Sequence, residues 1–158
     1  MGKQILRYGI LIGLVIAITA FIFSNSFADH NESHSTSDAV SEIILPNKNV
    51  NEAETAGLAV RKAAHLVEYT MLGIAATLII NRIARDYGRS AWGFGFFYVL
   101  AVAVTDEHIQ SFSGRTSSTA DIILDFCGGL IGFFAGWITV LVYMAIKHRY
   151  NKRKRQRR

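Results

Sequence analysis

Apolar residues gather into four long blocks separated by polar segments, and do not recur at the spacing of a soluble core. The first, 5–23, is interrupted by Arg7, Tyr8 and two glycines. The second, 63–80, is interrupted by His65, Glu68 and Tyr69. The third, 91–105, reaches span length only if its helix continues through Asp106 to Gln110, and the fourth, 122–146, is long enough to cross with tilt. A bilayer core needs about 20 apolar helical residues. The pattern therefore predicts an all-α integral membrane four-helix bundle in a single domain. Its spans fall near 5–23, 62–82, 91–110 and 119–146, with a basic tail at 147–158. A signal peptide competes for the first block, with Lys3 and Arg7 before it and Ser26-Phe27-Ala28 after it. The apolar run exceeds the usual signal core of about 7–15 residues, which favours a retained span.

Composition sharpens this picture. Hydrophobic residues are 51% and charged residues 18%, with one Pro and one Cys, which excludes a disordered chain, a collagen-like chain and a disulfide scaffold. The mean hydropathy of +0.25 is high for a soluble domain. The net charge of +5 is distributed unevenly. Thirteen of the 17 Lys and Arg residues lie before the first block, between the second and third, or after the fourth. The opposite side holds Lys48, Arg61, Lys62 and Arg115, and segment 24–60 carries six acids. Cationic loops stay in the cytoplasm. Both termini are expected there, with 24–60 and 106–118 outside. The basic tail reads as a topology anchor that touches anionic lipid rather than nucleic acid.

Within the outer loop, His30 and His34 have metal-like spacing, but their surroundings read as a solvated loop. Apolar positions at 39–45 predict one or two interfacial turns ended by Pro46. Asn51 and Glu54 fit a capping box, so the second helix is expected from about 52 to 84.

The ionisable residues follow helical spacing. Arg61, His65, Glu68, Tyr69 and Leu72 share one face of the second helix, with Lys62 beside them. Asp106, Glu107 and Gln110 share one side of the third, and Gly114 in Ser113-Gly114-Arg115 suits a helix C-terminus. Ser118 or Thr119 can cap the fourth helix. There Asp121, Asp125, Gly128, Gly132 and Gly136 form one stripe, widened by Gly129. Small residues at this spacing let helices approach closely. Charges near the bilayer are costly, so Arg61, Lys62 and Arg115 are expected to pair with Glu68, Asp106, Glu107, Asp121 and Asp125. Acid is in excess, to be offset by a proton, a charged His65 or His108, or a metal. These groups are expected to converge in one outward-facing polar pocket. Cys127 reads as packing rather than chemistry.

Arg61-Lys62-Ala63-Ala64-His65-Leu66-Val67-Glu68-Tyr69, with Leu72-Gly73, resembles the R-K-x-x-H-x-x-E-Y-x-x-L-G signature of VanZ-like membrane proteins. The run from Asp106 to Phe112, then Gly114-Arg115, Asp121, Asp125 and Gly128, resembles that family's second block, one residue shorter between Phe112 and Gly114. Phe23-Ser24-Asn25-Ser26 stands where the family often has F-S-S-Q, here without the Gln. The resemblance spans nearly the whole chain. It implies a cell-envelope protein, in a family whose founding member is associated with lowered susceptibility to teicoplanin.

Three chemistries follow. A binding protein would use Arg61, Lys62, Gln110 and Arg115 to hold a membrane lipid headgroup, a cell-wall precursor or a lipoglycopeptide. An intramembrane hydrolase or transferase would draw its acid, base or metal ligands from His65, Glu68, Asp106, Glu107, Asp121 and Asp125. Its metal ligands would be His65, Glu68, Glu107 and Asp125, with Asp121 as a further oxygen donor. A transporter fits less well, because no inverted repeat and no mid-bilayer acid is visible. Cofactor and oligomeric state stay open.

Overall fold

The computed structural model describes residues 2–27, 50–112 and 118–156, with side chains omitted for Lys3 and for 50–54. Every described element is helical: α1 (Gly2–Phe27), α2 (Val50–Tyr87), α3 (Trp92–Phe112) and α4 (Thr119–Gln156). The predicted turns at 39–45, the histidines at 30 and 34, and the Ser113-Gly114-Arg115 turn lie outside the described residues.

The boundaries have local causes. Helix α2 ends where Gly88 adopts a positive φ of 65° and donates its amide to the Ala84 carbonyl at 3.0 Å. Only glycine enters that region without steric cost. Ser118 caps α4, accepting from the Ala120 amide on its side chain and from the Asp121 amide on its carbonyl. Helices α2 and α4 have 38 residues each, about 57 Å of helix at 1.5 Å per residue, and so exceed a bilayer core. The basic segment after 146, expected as a tail, continues α4 as helix to Gln156.

Among the described residues, three helices, α1, α2 and α4, are long and apolar enough to cross a membrane. The expectation of four such blocks is corrected for α3. It has 21 residues, but its last turns hold Asp106, Glu107 and Gln110. These three polar residues turn inward and are buried, while Thr105, His108 and Ser111 of the same turns are exposed. The outer surface is apolar: Ile5, Ile10, Ile16, Phe94, Phe97, Ile131 and Phe134 are all exposed. A soluble monomer does not present so large an apolar surface.

Helices α2 and α4 run in the same direction and make the most extensive packing in the fold. Their contact follows the glycine stripe. A Cβ on Gly132 would clash with the Thr70 carbonyl, and one on Gly128 would stand 2.8 Å from the Leu66 oxygen. Thr70 and Thr77 bridge the gap, each donating to a carbonyl of its own helix and to one of α4, Gly128 or Phe133. Gly129 instead admits Val99 of α3. Helix α1 lies antiparallel to α2. Its first turns are tied by Tyr8 to Asp86 at 3.1 Å, with Arg82 paired to the same carboxylate at 2.8 Å. Its middle is tied by Thr19 to Tyr98 at 2.8 Å. Cys127 is exposed, away from the packed seam, which corrects its reading as a packing residue.

A Gly132→Val variant should lose about 1–3 kcal/mol of stability through overpacking. Gly13→Val, whose Cβ meets nothing within 4 Å, should not. Thermal melting of the detergent-purified variants measures the difference. Equal melting temperatures would mean that α2 and α4 do not meet along this seam.

Candidate functional site

The polar residues collect at one end of the bundle, where α1 and α3 finish and α2 and α4 begin. Asp106 on α3 is the hub. It is fully buried. One carboxylate oxygen accepts from the Ser26 hydroxyl of α1. The other accepts from the Gln110 side-chain amide at 3.1 Å and faces His65 Nδ1 at 3.6 Å. His65 Nδ1 also stands 3.7 Å from an Asp125 oxygen on α4. The Tyr69 ring is fully buried beneath, with its hydroxyl beside Asp106.

Two further carboxylates flank this centre. Glu68 accepts from the Asn25 amide of α1 at 2.7 Å through one oxygen, while its other is buried with no hydrogen-bond partner among the described residues. Glu107, 2% exposed, accepts the Ser118 amide on one oxygen and joins the end of α3 to the start of α4. Its second oxygen is buried without a partner among the described residues.

A narrow cleft opens beside the centre, with about 20 Å³ of room for water-sized groups. Arg61 and Lys62 lie at its rim, with His65, Gln110, Asp121 and Asp125 farther in. Lys62 pairs with Asp121 at 3.0 Å, with the lysine half-exposed. As it stands it holds about one water-sized group, and it excludes the bulk of a lipoglycopeptide.

The structure thus brings together His65, Glu68, Asp106, Glu107, Gln110, Asp121 and Asp125, with Arg61 and Lys62 at the entrance. Tyr69, which the helical spacing already placed on that face, lies buried with them. His108 is not among them: it is exposed, its ring set edge-on against Phe112 at 4.9 Å. Arg115 lies outside the described residues. Of the expected cation–acid pairs, the described residues form Lys62–Asp121. The metal-ligand grouping also differs. His65, Asp106 and Asp125 place one ligand atom each within 4.8 Å of one another, whereas Glu68 and Glu107 stand to the side.

Asn25 and Ser26 are the site residues that the motif comparison underweighted, for want of the expected Gln. Their signal was the polar run Ser24-Asn25-Ser26 closing an otherwise apolar span at the boundary where the acids lie.

A helical bundle with an apolar exterior and polar groups gathered inside one end is the construction of an integral membrane protein. The family model described as VanZ/LLP1 matches residues 11–144, and the chain belongs to that family. No curated protein and no solved structure gives a significant match.

Ser26→Ala removes a donor from a buried carboxylate and should cost about 1–3 kcal/mol. Ser24→Ala, at an exposed position, should stay within about 0.5 kcal/mol of the parent. Thermal denaturation of the two variants side by side measures this. Equal values would remove α1 from the site.

Proposed function

We propose that this membrane protein of the VanZ/LLP1 family sits in the cell membrane with both termini cytoplasmic. Its pocket then opens at the outer leaflet and takes the anionic end of an amphiphile. The shared chemistry is a phosphate or carboxylate on a lipid headgroup, a lipid-linked cell-wall precursor or a lipoglycopeptide. One observation carries the reading: Arg61 and Lys62 stand at the mouth of a cleft whose deeper wall offers Gln110, His65 and carboxylates. Arg61 lines the cleft with a guanidinium suited to bidentate contact with an anion. The acids would accept hydrogen bonds from sugar or amide groups attached to the anion. The distribution of Lys and Arg supports the orientation. Lowered teicoplanin susceptibility would follow if the pocket holds the drug's anionic end or the precursor on which it acts.

A second reading is an intramembrane hydrolase or transferase acting on a lipid-linked substrate. It is favoured by the presence of His65 and Asp125 on the same cleft wall, an imidazole and a carboxylate within reach of a bound group. Release of a water-soluble headgroup from membrane lipid extract by purified protein would select it over simple binding.

Replacing Arg61 and Lys62 together by Ala should reduce retention of phosphatidylglycerol by detergent-purified protein by about tenfold or more, given that hydrogen bonds to charged groups contribute about 1.5–3 kcal/mol. A zwitterionic lipid should be affected less. Lipid mass spectrometry measures both, and unchanged retention would overturn the reading.

A further inference from the structure

The polar centre contains an arrangement that headgroup binding alone does not use. His65, Asp106 and Asp125 come from α2, α3 and α4, and each points one ligand atom at the same small volume. The imidazole nitrogen is 3.6 Å from Asp106 and 3.7 Å from Asp125. These separations are too long for direct hydrogen bonds. They are close to those of ligands sharing one ion, since bonds of about 2.0–2.2 Å set donors about 3–4 Å apart. Asp106 is also held from behind. Ser26 donates to the oxygen turned away from His65, as an outer group does to a ligating carboxylate, while Gln110 donates to the oxygen that faces His65.

An independent observation points the same way. Glu107 is 2% exposed, and its second oxygen has no hydrogen-bond partner among the described residues. It lies within electrostatic reach of both Asp106 and Asp125. Among the described residues, the Lys and Arg ion pairs at this end are confined to Lys62 with Asp121. Asp106, Glu107 and Asp125 thus have no Lys or Arg ion pair among the described residues.

We propose that His65, Asp106 and Asp125 bind a divalent first-row metal ion, Zn²⁺ or Mn²⁺, at the inner wall of the pocket. One imidazole and two carboxylates form a nitrogen–oxygen set suited to these ions, and the imidazole disfavours Ca²⁺ and Mg²⁺. Open coordination positions face the cleft, which His65 and Asp125 line. The inference deepens the headgroup reading, on which it rests for the ion's role: the ion adds a positive contact for the same anion held by Arg61 and Lys62.

The test uses the full chain in detergent, stripped with chelator and then titrated with ZnCl₂ or MnCl₂. Wild type should take up an equimolar amount of one of these metals, read by mass spectrometry. His65→Gln and Asp125→Asn should each weaken uptake by more than about tenfold, while Cys127→Ser should not. With Mn²⁺, wild type should show ¹⁴N coupling by pulsed electron paramagnetic resonance, which removes dependence on variants that fail to fold. No uptake by folded wild type, uptake unchanged in both ligand variants, or Mn²⁺ bound without ¹⁴N coupling would overturn the proposal. Phosphatidylglycerol retention is measured alongside in excess chelator. If retention persists while metal uptake fails, this inference falls and the headgroup reading stands. If metal binds and retention fails with the metal restored as well as in chelator, the metal site stands and the headgroup reading falls.

Discussion

Carboxylates withdrawn from water at one end of the helix bundle are the constraint around which the rest is arranged. Asp106, Glu107 and Asp125 are almost fully buried, with Glu68 beside them. An isolated buried carboxylate is costly, and the cost falls only with hydrogen bonds or compensating charge. The fold supplies the hydrogen bonds from three helices. Ser26 and Asn25 come from α1, Gln110 from the turn after Asp106, and the Ser118 amide from the start of α4. Each helix end is thereby committed to the same few cubic ångströms of polar space.

The glycine seam makes that convergence possible. Asp125 can stand 3.7 Å from His65 because α2 and α4 touch backbone to backbone one turn below, at Gly128. A larger side chain there would separate the two helices and withdraw Asp125 from the histidine. The opposite end is fastened independently by Tyr8, Arg82 and Asp86. Stability of the apolar half and composition of the polar half are thus separable. The exterior is left to lipid, which fits the apolar faces of α1 and α4.

Much of this was legible in the chain. The spacing of His65, Glu68, Tyr69 and Leu72 placed one inward face, and that of Asp106, Glu107 and Gln110 another; both faces are where the helical period put them. The stripe from Asp121 to Gly136 correctly forecast a close helix approach, and Ser118 correctly suggested a cap. The partners across helices were not legible. Asn25 with Glu68 and Ser26 with Asp106 are 43 and 80 residues apart, and no local period links them. His108 was drawn toward the site by its neighbours in sequence, but the next residue on a helix turns about 100° away, and it faces outward.

The central claim, that α1 closes the site by satisfying a carboxylate on α2, is tested most directly by a double-mutant cycle of Asn25→Ala and Glu68→Gln on thermal stability in detergent. The account predicts a coupling of about 1 kcal/mol or more, as for residues in one hydrogen-bonded network. Additivity within about 0.3–0.5 kcal/mol would contradict it, and would place the end of α1 away from the polar centre.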